Sequence, residues 1–321
     1  FVERDRNTAL GAAVSDAHSQ TPYDLIWVDH LQMWGSAALD GVPAVLDTHN
    51  NEQHLLLQRS PAGDGFAVFA RTDMDRVRRF ESRVFSIADN VCVIGAADAA
   101  RVSELAPRAS ERITLLPPAV PVQRIDARIG ITMQPTLGFL GSMRWLANRD
   151  GMQHFLKETW PMLAREIPTL RLVCAGRDTD SFCSAFTREH PEFAERVSGL
   201  GSIPNLREFW EQTHIGIAPL RWGGGVKIKL IESWGAGKPT LGTPVATVDV
   251  PQDARFHTYA TSPSEWCAAI RHLVATTDNY AIASSQALAF ATDKHTVAVL
   301  QREVAGIIRT VVKPKSTEGP R

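Results

Sequence analysis

Short β-rich runs alternating with helical stretches constrain this chain more than any other feature of its sequence. Parallel strands cannot be joined by tight turns and need crossover segments, so such alternation predicts an α/β fold with parallel sheets. Asp24 to Asp29 and Pro43 to Asp47 read as the first two strands, and Phe66 to Ala88 as a long amphipathic helix. A strand from Asn90 to Ile94, a helix from Ala97 to Leu105 and a strand from Ile113 to Leu116 follow, closed by Pro117 and Pro118. Residues 119–135 contain Pro121, Gly130 and Pro135 and lack a clear period, which predicts a linker. A second series then begins. Thr136 to Leu140, Leu170 to Cys174, Val197 to Leu200, Ile215 to Ala218 and Thr240 with Leu241 are its strands. Helices are expected at Asp150 to Glu166, from Asn205 to Gln212, at Val226 to Ala236, and at 263–275, 278–291 and 295–312. The predicted organisation is two Rossmann-like domains, 1–120 and 136–312, joined by a linker at 121–135 and ending in a polar, disordered tail at 313–321. The second series is a complete doubly wound unit. The first has too few strands to be one.

Charge and cysteine usage narrow the function. With 34 basic against 35 acidic residues the net charge is −1, so no bulk field attracts nucleic acid or anionic lipid. The four cysteines, Cys92, Cys174, Cys183 and Cys267, form no C-x-x-C pair, which argues against a zinc ribbon or a thioredoxin-like site. Cys92 and Cys174 lie in apolar runs and read as buried free thiols, a usage that fits a reducing compartment. No apolar run reaches the ~18 residues of a spanning helix, and no signal-peptide pattern opens the chain. The start at Phe1, without an initiator Met, predicts a fragment.

Ligands of open parallel sheets bind beyond the carboxyl ends of the strands. The positions to inspect are therefore His49, Gly141, Gly176 and the loop after Leu220. The richest of these is the stretch from Pro219 to Pro239, which reads strand, glycine-rich turn at Gly223, Gly224 and Gly225, helix, glycine stop and proline. Glycines let backbone approach a ligand closely, and a following helix start offers free N–H groups and a positive dipole end. Lys229 and Glu232, three apart, share a face of that helix. A cation near the helix start suits a diphosphate, and a carboxylate one turn on suits both hydroxyls of a ribose. The plain alternative is a solvated ion pair, worth little by itself.

This segment resembles the donor-binding signature of GT-B glycosyltransferases of family GT4, also called glycosyl transferases group 1, in which a glycine loop precedes a Lys-x-x-Glu helix and then Gly-Lys-Pro, here Gly237-Lys238-Pro239. The resemblance extends to Gly138 through Gly151, to Leu172 through Gly176, to Leu200 through Leu206, and to Asp47-Thr48-His49-Asn50-Asn51-Glu52, so it covers about Asp24 to Ile308. It implies two Rossmann-like domains facing a cleft and the transfer of a sugar from a nucleotide-diphosphate-sugar to a hydroxyl of a glycan or lipid-linked acceptor. It implies retention at the anomeric carbon. No cofactor is expected, the nucleotide sugar being a co-substrate, and no metal, since no Asp-x-Asp stands on a suitable loop. Glu232 would hold the donor ribose, and Lys229 would neutralise the diphosphate with N–H groups around Gly224 and Gly225. Gly141 and Ser142 would bring backbone to the phosphates, and Arg144 is a second candidate cation. His49 would face the donor sugar from the other domain. Asp73-Met74-Asp75 and Asp178-Thr179-Asp180 have metal-ligand spacing, but the first reads as a helix that splays its carboxylates and the second as loop polarity.

Two departures from the family pattern stand out. Gly224 occupies the position of a first carboxylate that in many members is separated from the second, here Glu232, by seven residues, which leaves the transferred sugar open. The family's opening strand and glycine-rich loop have no counterpart, which predicts truncation. Rival readings are a nucleotide-sugar epimerase or a phosphorylase on the same fold, a nucleotide-sugar-binding or inactive module, and a Rossmann dehydrogenase. The last lacks a G-x-G-x-x-G between strand and helix. The expected location is the cytoplasm, with peripheral contact at the inner face of the membrane as what the resemblance implies.

Overall fold

The computed structural model describes residues 8–54, 66–224, 226–246, 250–251 and 254–312. It divides into two compact units, 1–117 with 298–321, and 118–297. In the first, β1 (Ile26–Asp29), β2 (Ala44–Thr48), β3 (Asn90–Val93) and β4 (Ile113–Leu115) form a wholly parallel sheet in sequential order. Successive side chains of a strand point to opposite faces, and the burial follows that period. Leu46, Val91 and Val93 pack on one face with Val84, Phe85 and Val102. Val45 and Cys92, on the other, meet Leu116, Ile307 and Val311.

In the second unit, β5 (Thr136–Leu140), β6 (Arg171–Ala175), β7 (Val197–Gly199), β8 (Ile215–Ala218), β9 (Thr240–Gly242) and β10 (His257–Tyr259) form a parallel sheet in the order β10-β9-β8-β5-β6-β7. The chain leaves β5 in one direction and later returns on its other side as β8, so the switch point lies between these two strands. That is where an open parallel sheet leaves a crevice at its carboxyl end. Leu137, Phe139, Leu172, Cys174, Ile215 and Leu241 build one core layer with Phe155, Trp160 and Trp266. Val173 and Ala175 turn to the opposite face, onto Phe209 and Trp210.

The expected strands are present, with small shifts in their ends. The divisions between domains fall elsewhere. Residues 121–135 are no free linker, because they are tied to the second unit. Gln123 N donates to Gly235 O (2.9 Å), Ile125 N to Ala236 O (3.1 Å) and Arg128 N to Glu211 O (2.8 Å), and a ring nitrogen of His214 meets Ile129 O at 2.7 Å. The last helix, Val297–Val311, was expected in the second domain, yet from Ala298 onward it belongs to the first unit. Its apolar face, Leu300, Val304, Ile307 and Val311, completes the core around Val45 and Cys92. The expected helix from Asp150 to Glu166 begins earlier, at Leu146, and passes through a π turn at Phe155–Thr159. Pro161 restarts it there, having no N–H to continue an α ladder. Helices at Thr8–Gln20 and Thr179–Glu189 and strand β10 were not anticipated. The tail 313–321 lies outside the described residues.

Candidate functional site

At the carboxyl end of β5 the chain bends sharply through Gly141, whose φ of 158° belongs to the glycine region. A Cβ there would lie 2.7 Å from Asn148 Nδ2 and 3.1 Å from Lys229 Nζ, so the glycine leaves room for two polar side chains. Gly176, at the end of β6, has φ 124°, and its Cβ would meet the Gly141 carbonyl oxygen at 2.5 Å. The two strand ends therefore approach backbone to backbone. Gly141 N donates to Ala175 O (2.8 Å) and Met143 N to Arg177 O (2.9 Å). The helix Leu146–His154 then packs its Gly151 against Pro219 and Leu220, beyond the end of β8, where a Cβ would meet Pro219 O at 2.5 Å.

Into this junction projects the helix Ile228–Gly235. It begins two residues later than Val226, with Lys227 as its cap residue. The Lys227 ammonium donates to the Gly224 carbonyl and so fastens the glycine bend to the helix start. Lys229 Nζ donates to Asn148 Oδ1 at 2.7 Å and lies 4.2 Å from the centre of the Phe139 ring. The residue is half-buried, and its ammonium end is the enclosed part. Burial, with Lys227 adding to it, pushes the Lys229 pKa down to about 7, against the opposing pull of Glu232. Glu232, one turn along, is half-buried too, and burial raises its carboxyl above the usual range while Lys229 opposes the rise. A lysine ammonium, a helix start and close-approaching backbone meet at one strand junction, followed by an acceptor carboxylate, an arrangement chemically suited to an anion with a diol beyond it.

The remaining expected donor-side residues fall into place differently. Ser142 Oγ accepts from Arg144 N (3.2 Å), and its carbonyl accepts from Asn148 Nδ2 (2.9 Å). Arg144 is exposed and pairs with Asp178 (2.8 Å), so a carboxylate already meets its charge. Gly225 lies outside the described residues. Asp178 takes a left-handed φ of 64° just before the helix Thr179–Glu189.

In the first unit, His49 follows β2 at its carboxyl end. Its Nε2 lies 2.8 Å from Asp29 Oδ1 and 3.9 Å from Asp47 Oδ1, and its ring stands 4.2 Å from that of His30. Asp47 also accepts from Trp27 Nε1 (3.2 Å), and burial raises its carboxyl. His30 has φ 69°, an uncommon backbone state for a residue with a side chain. Donor atoms of Asp29, His30 and His49 lie within 4.8 Å of one another, so two imidazoles and a carboxylate converge in a set able to hold a transition-metal ion. The segment after His49 is fixed by the buried Glu81, whose carboxylate accepts from Glu52 N (2.7 Å) and whose pKa burial pushes up to about 7. Asn51 caps the turn by accepting from His54 N (2.8 Å).

The sequence reading missed Asn148, Phe139, Lys227, Asp29 and His30. Asp29 and His30 had their position at the carboxyl end of a strand as a signal, and Phe139, Asn148 and Lys227 lay inside the family-like stretches Gly138 to Gly151 and Pro219 to Pro239.

Residues 134–276 match the family described as glycosyl transferases group 1. No curated protein sequence matches the chain. Solved structures do. Sucrose-phosphate synthase from Thermosynechococcus elongatus superposes with a TM-score of 0.70 at 14% identity, over 93% of this chain and 76% of that one. A point mutant of TarM from S. aureus, solved with fondaparinux, α-GlcNAc-glycerol and UDP, gives 0.71 at 12% identity, over 93% and 59%. HepE from Anabaena, in complex with UDP, gives 0.67 at 15% identity, over 93% and 81%. This chain thus spans less than two thirds of TarM. The two parallel-sheet units are those of the GT-B fold.

Proposed function

Starting from residues 134–276 as a member of glycosyl transferases group 1, we propose that the chain moves a sugar from a nucleotide-diphosphate-sugar to a hydroxyl of a glycan or lipid-linked acceptor. The observation that carries this reading is the enclosed Lys229 ammonium, held beside Gly141 at the β5–β8 switch point with Glu232 one turn away. UDP in the HepE and TarM complexes and UDP-glucose in a further HepE complex support the same ligand class. In the proposed reaction Lys229 and the helix start stabilise the charge that grows on the leaving diphosphate, and no metal ion is required. Glu232 accepts from the ribose hydroxyls. Retention follows if the acceptor hydroxyl enters on the face the diphosphate leaves. His49, its ring held by Asp29, is a further proposed catalytic residue. The proposed location is the cytoplasm, a reading supported by four free, buried cysteines. Among the described residues no helix is long and apolar enough to cross a membrane.

The test is release of nucleoside diphosphate from a panel of nucleotide sugars, with and without acceptor extracts and with chelator present. Wild type is expected to release one nucleotide in an acceptor-dependent, chelator-insensitive way. Lys229→Ala is expected to lose at least ~100-fold in rate, as for removal of one charge-stabilising donor, and His49→Ala to lose turnover while still binding nucleotide. Undiminished release by Lys229→Ala would remove the basis of the proposal.

A further inference from the structure

We infer that Asn148 is the positioning residue for Lys229: its carboxamide bridges the lysine ammonium to the Ser142 carbonyl and so aims the cation at the phosphate crevice. The inference rests on the donor-site reading of Lys229. Asn148 is buried, at 7% exposure, on the first turns of the helix Leu146–His154. Its Oδ1 accepts from Lys229 Nζ (2.7 Å), and its Nδ2 donates to Ser142 O (2.9 Å). Chemistry fixes the orientation of the amide, since an ammonium can only donate and a carbonyl can only accept. A carboxamide serves both partners at once, accepting through Oδ1 and donating through Nδ2. A carboxylate would face the Ser142 carbonyl with a second acceptor, and an apolar side chain would serve neither.

The groups around the ammonium explain why it needs such a tether. Phe139 on β5 offers a ring face, and Cys174 on β6 a buried thiol, itself held neutral by its hydrogen bond to Cys183 and by burial. Lys227 opposes the charge, and Glu232, on the lysine's own helix, favours it. Asn148 supplies a fixed neutral acceptor to this buried cation. It leaves the net positive charge of the site intact for a diphosphate, which a carboxylate in its place would cancel. Gly141 is part of the device, because a Cβ there would lie 2.7 Å from Asn148 Nδ2.

The test uses the full chain labelled with 13C at lysine Cε, with the Lys229 signal assigned by its loss in Lys229→Met, and follows that signal against pH by NMR. In wild type the midpoint is expected at about 7. Asn148→Ala removes the acceptor and is expected to lower the midpoint by about one pH unit, and Asn148→Asp to raise it by a similar amount. Opposite movements in two folded variants are something a merely structural asparagine cannot produce. The inference is overturned if both variants titrate with the wild-type midpoint or move in the same direction. Failure of the donor-site reading looks different: Lys229→Met would bind nucleotide sugar as well as wild type, whatever the NMR midpoints show.

Discussion

Lys229 meets two opposing demands. Its ammonium must be charged to hold a diphosphate, and its surroundings make that charge costly, lowering its pKa from 10.5 to about 7. The consequence for ligand binding has a definite sign. A nucleotide sugar is a diphosphate diester that keeps its charge near neutrality, so its affinity should be highest below about pH 7 and fall as Lys229 deprotonates. Glu232 sets the acid side, since its raised carboxyl must be ionised to accept ribose hydroxyls. Dissociation constants measured from about pH 5 to about pH 9 should describe a bell, with the alkaline limb absent in Lys229→Met. Stability carries the opposite sign. Between about pH 7 and 10.5 the unfolded chain keeps the proton that the folded lysine has lost, so stability rises with pH through that window. Denaturant melts should show a steeper rise in wild type than in Lys229→Met, the buried Lys238, lowered to about 8, contributing to both. At this scale Lys229, Glu232 and Gly141 were legible in the sequence because a strand–glycine–helix pattern places them locally. Asn148 lay inside the family-like stretch Gly138 to Gly151, but its pairing with Lys229 was not legible, because the two meet across 81 residues of chain.

The elements hold the site through close backbone approaches. The helix Leu146–His154 lies against the loop after β8 only because Gly151 has no side chain. A Cβ would stand 2.5 Å from Pro219 O and 3.1 Å from Leu220 Cα, both backbone atoms that cannot swing aside. Gly151→Ala should therefore push this helix, and Asn148 with it, away from the loop. The expected cost is about 1–3 kcal/mol of stability, read as a lower melting temperature, together with weaker nucleotide binding. An unchanged melting temperature would contradict the packing described. Strands were the most legible elements, since apolar runs such as Thr136 to Leu140 are bounded by glycine or proline. The short β10 was missed because His257–Tyr259 carries no apolar run and is recruited by pairing with β9. The helix Thr179–Glu189 was missed because its polar start read as a loop, although Phe182 and Phe186 turn toward the core.

For the whole molecule, the sequence revealed two α/β units but not where the chain passes between them. Proline and glycine marked 121–135 as a linker, yet backbone hydrogen bonds to Gly235, Ala236 and Glu211 make it part of the second unit. Amphipathic spacing in Val297–Val311 announced a helix without saying which sheet its apolar face would cover. Ile307 answers that, buried at 3% exposure in the first unit's core with Val45 and Cys92. Ile307→Ala should destabilise that unit by about 2–5 kcal/mol, visible as an earlier unfolding transition, while nucleotide binding by folded protein remains. The pocket around Lys229 and Glu232 is proposed to grip the pyrophosphate and ribose of a nucleotide. Calorimetric titration of a nucleoside diphosphate panel into wild type, Lys229→Met and Glu232→Gln tests it most directly. Saturable one-to-one binding of at least one nucleotide is expected for wild type, weakened about 100-fold in Lys229→Met, as for loss of roughly 3 kcal/mol of charge-assisted bonding. Glu232→Gln is expected no longer to distinguish that nucleotide from its 2′-deoxy form. Equal affinity in all three proteins, or no binding across the panel, would contradict it.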